Sequence, residues 1–383
     1  MKLFLLTIAS SLLATVEAHF NGDNNIAVYW GQAEAGDKVQ NDLSYYCQSE
    51  SVDIVILAFI SQFGKQYVDS DQNPDGFVLN LSDKCNEDSD GYTVCPTLES
   101  DIKTCQDLGK KVLLSLGGES SSTQKYGFQD DDEAKEFAST LWNSFGEGSS
   151  QHRPFGTAVI DGFDFDVETT DQTGYLALAQ QLKKTTQDEG SKSYIFTAAP
   201  QCTLPDQYTS NLLDNFEMDH IYVQFYNNEG CELESPGFNY DQWVENTLKN
   251  GHSDTKIYIG LPSAKNAAGS GFINNVNDLY DKFIELNNSD PKMIKDNFGG
   301  FMFWDASRGF SSTDRDSYDK SYIYRVWSTF NDTQDDENSS GATLSQSNGD
   351  TPSNPKNENM ADAERAPMGM LMFVMLTMMI VSA

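Results

Sequence analysis

The sequence predicts an α/β fold, a closed barrel of eight parallel strands forming a single body. Two observations point there. Eight short apolar or alternating runs recur along the chain with stretches of helical spacing between them, the pattern of a parallel sheet whose strands are joined by helices. No Gly-x-Gly-x-x-Gly follows the first run, which disfavours the rival open, doubly wound sheet. A body of roughly 310 residues can bury one large core, and that length by itself suits a single barrel as well as two domains.

In chain order, the runs expected as strands are Ile26 to Trp30, Ile54 to Ile60, Val112 to Leu116, Ala158 to Asp166, Tyr194 to Ala198, Ile221 to Tyr226, Ile257 to Gly260 and Gly300 to Trp304. Each is a short apolar segment of strand length. Helical spacing is clearest over Asp132 to Phe145, Gly174 to Asp188 and Val276 to Leu286. The third strand runs into Gly117 and Gly118. With no lysine-serine pair after them, a tight strand-to-loop turn explains these glycines better than a phosphate cradle.

The fourth strand carries the chemistry. Asp161-Gly-Phe-Asp164-Phe-Asp166-Val-Glu168 places four acids inside an apolar run, and burying carboxylates is costly. On a strand, Asp164, Asp166 and Glu168 share one face, and Phe163, Phe165 and Val167 the other. Successive acids then stand about 6.6 Å apart at their backbones. Like charges that close raise one another's pKa. Glu168, last in the row, is the candidate for a carboxyl that stays protonated near neutrality and donates its proton to a leaving group. Asp164 and Asp166 are expected to titrate as a coupled pair. A calcium loop would need turn residues between its ligands, whereas Phe163, Phe165 and Val167 demand burial. Asp161 breaks the alternation and is expected to be structural.

A parallel barrel holds its active site at the C-terminal ends of its strands. There the first strand runs into Tyr29-Trp30-Gly-Gln32, the sixth into Gln224-Phe-Tyr226-Asn227-Asn228, and the eighth into Trp304-Asp305. Converging on one mouth, these residues make a cleft with acids, a phenol and an indole floor. Sugars suit it, because their apolar ring faces stack on Trp while hydroxyl and amide edges need polar partners. On its own, Trp304 in an apolar strand reads as core ahead of a ligand platform, and Tyr226 reads equally as a packing or a functional residue; their place in one cleft is what favours function for both.

Lys2 followed by an apolar stretch to Val16 and then Glu17-Ala18 fits a secretory leader, residues 1–18, cut before His19. Six cysteines in an oxidising compartment favour three disulfides, and the four histidines show no metal-ligand spacing with them. Neither a metal nor a cofactor is expected. Asn80, Asn287, Asn331 and Asn338 stand in glycosylation triplets. The net charge of -33 disfavours nucleic acid and anionic lipid, and suits a neutral or cationic polymer. Beyond a body ending at residue 330, residues 331–365 are almost free of apolar side chains and are expected to form a disordered stalk. Residues 366–383 are apolar to the end, too short for a comfortable membrane span. After a polar spacer they fit a removed glycosylphosphatidylinositol-anchor sequence, with Asn359 or a nearby small residue as attachment point. A simple tail anchor is the alternative.

The fourth-strand motif resembles the Asp-x-x-Asp-x-Asp-x-Glu signature of glycoside hydrolase family 18, complete at Asp161, Asp164, Asp166 and Glu168. Ala27-Val-Tyr-Trp-Gly-Gln32, Leu114-Ser-Leu-Gly-Gly118, Ala198-Ala-Pro-Gln-Cys202, Val223-Gln-Phe-Tyr-Asn-Asn228, Gly260-Leu-Pro-Ser263 with Ala268-Gly-Ser-Gly271, and Trp304 are similar to the plant and fungal class III chitinases of hevamine type. The likeness covers about Asn25 to Trp327, and the stalk with its anchor sequence resembles yeast cell-surface chitinases. It implies a (β/α)8 TIM barrel, residues 19–330, acting as an endochitinase on β-1,4-linked N-acetylglucosamine by substrate-assisted catalysis. Glu168 would protonate the glycosidic oxygen, Asp166 hold the acetamide N–H, Tyr226 bind the acetamide oxygen, and Asp164 take up charge. Trp304 would floor the subsite. Gln224, Asn227, Gln32, Gly117 and Gly118 would complete substrate binding. The enzyme would be a monomer at the cell surface, its partners chitin and chitooligosaccharides, touching membrane or wall only through the lipid anchor. Disulfides Cys47 to Cys105, Cys85 to Cys95 and Cys202 to Cys231 also follow from the resemblance, since spacing alone leaves fifteen pairings open. An endo-β-N-acetylglucosaminidase acting on N-glycans and a non-hydrolytic chitin-binding wall protein remain the alternatives.

Overall fold

The computed structural model describes residues 25–32, 40–69, 71, 73–121, 124–311 and 321–339. The expected leader at 1–18, the stalk beyond residue 339, Asn359 and the apolar tail lie outside the described residues. The chain divides into compact units of Met1–Asn338 and Ser339–Ala383, and the barrel belongs wholly to the first.

The parallel strands are β1 (Asn25–Trp30), β2 (Ile54–Phe63), β6 (Lys111–Glu119), β7 (Gly162–Glu168), β8 (Ile195–Ala198), β9 (His220–Gln224), β10 (Lys256–Pro262) and β11 (Phe298–Trp304). They pair in the order β1-β11-β10-β9-β8-β7-β6-β2, and pairing of β1 with β2 closes the ring. This is the eight-stranded parallel barrel expected. The ring also explains why these runs are nearly continuous in apolar residues: each strand is covered on both faces.

Helices α1 (Leu43–Cys47), α2 (Leu98–Asp107), α3 (Asp131–Phe145), α4 (Tyr175–Glu189), α5 (Ser210–Asn215), α6 (Tyr240–Lys249), α7 (Val276–Ser289), α8 (Pro291–Asn297), α9 (Ala306–Gly309) and α10 (Tyr322–Ser339) accompany the strands. The three periodic segments named above became α3, α4 and α7. Asp130 caps α3 by accepting from the backbone N–H groups of Asp132 and Glu133, which satisfies donors the first turn leaves orphaned. The shorter helices were too brief to show a period. Helix α10 continues through Asn331 and Asn338 to Ser339, so the polar segment expected to begin at residue 331 starts as helix.

Two differences concern strands. The fourth run begins at Gly162 and not at Ala158, because Asp161 is already turned to its own partners below the strand. Lengthening of β2 to Phe63 lets β3 (Phe77–Leu79) pair with it antiparallel, Phe63 opposite Phe77. Strands β4 (Asn86–Glu87) and β5 (Thr93–Val94) form a separate small hairpin between β3 and α2.

The core has two parts. A large shell between sheet and helices contains Ile26, Val28 and Trp30, while Ala27 and Tyr29 of the same strand join Ile54, Ile56, Tyr222, Tyr258 and Met302 inside the ring. Period-two alternation thus sorts each strand into lumen and shell. Disulfides join Cys47 to Cys105, Cys85 to Cys95 and Cys202 to Cys231, the pairs that the resemblance implies. Asn80 and Asn287 are each partly exposed.

Candidate active site

Strand β7 delivers its acids to the lumen in the row its alternation requires. Phe163, Phe165 and Val167 are in the outer shell. In the β6–β7 ladder Ser115 faces Asp164, Gly117 faces Asp166 and Glu119 faces Glu168; across the other edge Asp164 faces Thr197. Asp164 is fully buried, and its ladder neighbours are its hydrogen-bond donors. The Ser115 hydroxyl donates to Oδ2 at 2.6 Å and the Thr197 hydroxyl to Oδ1 at 2.5 Å. From across the lumen the Tyr29 hydroxyl donates to Oδ2 at 2.8 Å. Burial raises the pKa of this carboxyl, and the three hydroxyls oppose that rise.

Asp166 stands one step higher, 4% exposed. Its Oδ1 accepts from Gln224 Nε2 at 3.0 Å, and the same amide donates to the Ala199 carbonyl at 2.9 Å. Burial first, then the charges of Glu168, Asp164 and Asp206, push its pKa well up. Glu168, at the mouth, is raised to about 7, chiefly by burial, with a hydrogen bond from Gln224 opposing and Glu119 and Asp206 adding repulsion. Desolvation, more than the crowding of like charges expected from spacing, is the larger cause. Behind the acid, Tyr126 braces the strand end: its hydroxyl accepts from the Glu168 N–H at 2.8 Å and donates to the Gly118 carbonyl at 2.6 Å.

Above these residues opens a cavity of about 380 Å³. Asp166, Glu168, Gln224, Tyr226, Asn227 and Trp304 all line it, as the sequence reading expects, together with Phe59, Glu119 and Gln201. Trp304 packs on Phe59, ring centroids 5.8 Å apart and 21° from parallel, and on Tyr29 at 5.6 Å. Tyr226 is 6% exposed, and its hydroxyl is held strongly protonated by burial and by the charges of Asp166, Glu168 and Asp305. Asp305 itself is buried beneath, paired with Arg308 and accepting from the N–H of that residue at the start of α9. Asn227 has φ +59 and accepts from the Gly269 N–H at 2.8 Å, so it tethers the 267–269 loop that closes one side.

Three residues expected to touch substrate do something else. Gln32 lies outside the cavity lining: its amide donates to the carbonyls of Ala58 at 2.8 Å and Asn80 at 2.9 Å, tying the β1 end to the loop after β3. Gly117 and Gly118 are buried and work by lacking a side chain. Gly117 has φ +111, and a Cβ there would lie 2.2 Å from the Asp166 carbonyl oxygen; at Gly118 it would lie 2.8 Å from the Phe59 ring. Gly117→Ala is therefore expected to cost about 3 kcal/mol or more through clash and a disallowed φ. Denaturant unfolding would measure this, and a change under about 1 kcal/mol would show that β6 and β7 can separate freely.

Asp161 lies away from the lumen. Its Oδ2 accepts from the Val112 N–H and from Gln106 Nε2, each at 2.9 Å, and its Oδ1 pairs with Lys192 at 2.7 Å. It ties the start of β7 to the foot of β6 and to the segment before β8. Asp206 was missed by sequence reasoning. It sits in a loop, its carboxylate accepting from the N–H groups of Thr209 at 2.7 Å and Tyr208 at 3.0 Å, and no periodicity marks it. Glu119 was also missed, because a single acid after a Gly-Gly turn looks like ordinary surface.

Chemically, the cleft combines a carboxyl that is half protonated near neutrality, a second acid two residues below it, a buried phenol and an aromatic floor. Such a site can protonate a leaving oxygen while stabilising developing positive charge beside it. The family model for glycosyl hydrolases family 18 matches residues 25–335. Chitinase 3 of Candida albicans is 42% identical over 317 residues, covering 81% of this chain and 52% of its own length. The endochitinase of Saccharomyces cerevisiae is 42% identical over 304 residues, 79% of this chain and 50% of its own. The chain thus spans about half the length of these curated relatives. Among solved structures, a chitinase from Ipomoea carnea is 31% identical with a TM-score of 0.61, covering 79% of this chain and 99% of that one.

Proposed function

Because the chain belongs to glycosyl hydrolase family 18, we propose that it is an endochitinase, cleaving β-1,4 bonds between N-acetylglucosamine units with retention through the substrate's own acetamide. The observation that carries this reading is the position of Glu168, a carboxyl raised to about 7 at the cleft mouth, with Asp166 buried directly below it. Glu168 gives its proton to the glycosidic oxygen as the bond to C1 breaks. The acetamide oxygen of the same sugar bonds to C1, forming an oxazolinium ion. Asp166 holds the acetamide N–H and offsets the new positive charge, Tyr226 donates to the acetamide oxygen, and Trp304 supports the sugar ring. Water then adds at C1 as the bond from C1 to the acetamide oxygen breaks, which restores the acetamide, and the proton that the water loses passes to Glu168. Asp164, held by three hydroxyls, takes up the proton that Asp166 releases, so that Asp166 is ionised as the positive charge develops.

Two carboxylates with a protein nucleophile between them would need a set spacing for retention. A substrate that supplies its own nucleophile removes that requirement. Asp166 has a Gln224 bond and, among the described residues, no competing cation in the cavity lining, which supports its serving the acetamide. Early products from chitotetraose or longer, with anomers resolved, test the mechanism on the whole chain. β-anomers are expected first, and α-anomers would overturn it.

The pH profile is a second test. A general acid must be protonated, so kcat/KM, which follows the free enzyme, should fall as pH rises through about 7. An alkaline limb that instead stays flat well above neutrality would remove Glu168 from that role. The closure of all six cysteines into disulfides supports work in an oxidising compartment. With the apolar leader and tail of the sequence, it supports a place at the cell surface on a lipid anchor.

A further inference from the structure

Among the described residues lining the cleft, Glu119 is the one charged group that takes no direct part in the proposed chemistry. It ends β6 directly opposite Glu168 in the β6–β7 ladder, about 4.8 Å away at the backbone and on the same face. Its side chain is exposed and lines the cavity together with Asp166 and Glu168. Among the described residues no lysine or arginine lines this cavity, and no ion pair reaches Glu119. Arg308, at the far side, is already paired with Asp305. Among the described residues the mouth is thus an anionic rim with no paired cation, in a chain whose net charge is -33. A carboxylate there repels the ionised form of the catalytic acid and, because it faces solvent in the cleft, is also placed to meet a cation carried by the bound chain.

We propose that Glu119 is a specificity residue that selects partially deacetylated chitin, its carboxylate pairing with the ammonium group of a glucosamine unit beside the cut. The inference rests on the endochitinase reading above. The sugar that supplies the acetamide must keep its acetyl group, so the cation belongs to another unit of the bound chain. Glucosamine differs from N-acetylglucosamine there by one positive charge and one fewer neutral amide, and a carboxylate facing solvent distinguishes the two by Coulomb attraction alone. The repulsion of Glu168 by Glu119 is relieved once an ammonium group lies between or beside them.

The test compares the whole chain with its Glu119→Gln and Glu119→Asp variants. Each is assayed on fully acetylated chitohexaose and on half-deacetylated chitosan, at mildly acidic pH where glucosamine amines are charged. The readout is the ratio of kcat/KM on chitosan to that on chitohexaose, which cancels any effect of the substitution on Glu168 itself. The Gln variant should show a ratio about three- to fivefold lower than the native chain, the scale of an exposed ion pair. The Asp variant should keep most of the native ratio. Added salt should lower the native ratio more than that of the Gln variant. Sequencing of new chain ends should find glucosamine enriched at one position relative to the cut, and the Gln variant should lose that enrichment. Equal ratios in the native and Gln enzymes, with active cleavage of chitohexaose, would overturn this inference alone. Failure of the native chain to cleave either substrate would overturn the endochitinase reading and this inference with it.

Discussion

Replacing Glu168 with glutamine is expected to lower turnover of chitooligosaccharides by about 10³-fold while changing KM only a few-fold, because an interaction made in the transition state is lost. The amide fills the same space at the mouth and can still meet Gln224, so binding survives. What disappears is the transferable proton. The same substitution should stabilise the fold at neutral pH. In the unfolded chain Glu168 ionises near its ordinary value of 4.5, whereas in the folded chain it stays protonated up to about 7. Between those values the folded state binds the extra proton, so native stability falls as pH rises through the window. Glutamine carries no such dependence. The variant should therefore gain at most about 3 kcal/mol over the native chain above that window and match it below. Denaturant unfolding at both ends, alongside product release, checks the pair of effects. A variant that retained a tenth of native turnover would refute Glu168 as the acid, whatever its stability.

Asp166→Asn is the second large effect, an expected loss of about 10²- to 10³-fold in kcat. Its side chain is 4% exposed and its ladder neighbour is Gly117, so it works in a space that water scarcely enters. Opposite charges interact there far more strongly than at a surface. The oxazolinium ion gains its positive charge directly against this carboxylate, and an amide cannot neutralise it. Geometry should survive, since an asparagine oxygen can still accept from Gln224 Nε2. The distinguishing measurement is the partition between constants: kcat falls, while affinity for a stable chitooligosaccharide stays within a few-fold. If affinity and turnover fell together, Asp166 would be a ground-state binding residue instead.

Much of this was legible in the chain. The barrel could be read because each strand repeats one local rule, apolar on both sides and ended by a turn, and eight repeats of a weak pattern make a strong one. The site could be read because three acids at alternate positions in an apolar strand have no inexpensive structural explanation. Asp161 was separable from them for the same reason: it falls on the wrong parity. Gln32, Gly117 and Gly118 were read as substrate contacts because they occur at strand ends. Their actual work is to hold carbonyls and to let strands approach, which depends on the neighbouring segment and leaves no mark in the local sequence.

Alternation and composition in the linear chain determined that a row of carboxylates would share one face of a buried strand, since backbone geometry permits no other arrangement of every second residue. Which charges then surround Glu168 was decided only by closure of the ring. Glu119 and Asp206 lie 49 and 38 residues from it in the sequence, and a carboxyl's ionisation responds to solvent and charge within a few ångströms, whatever the separation along the chain.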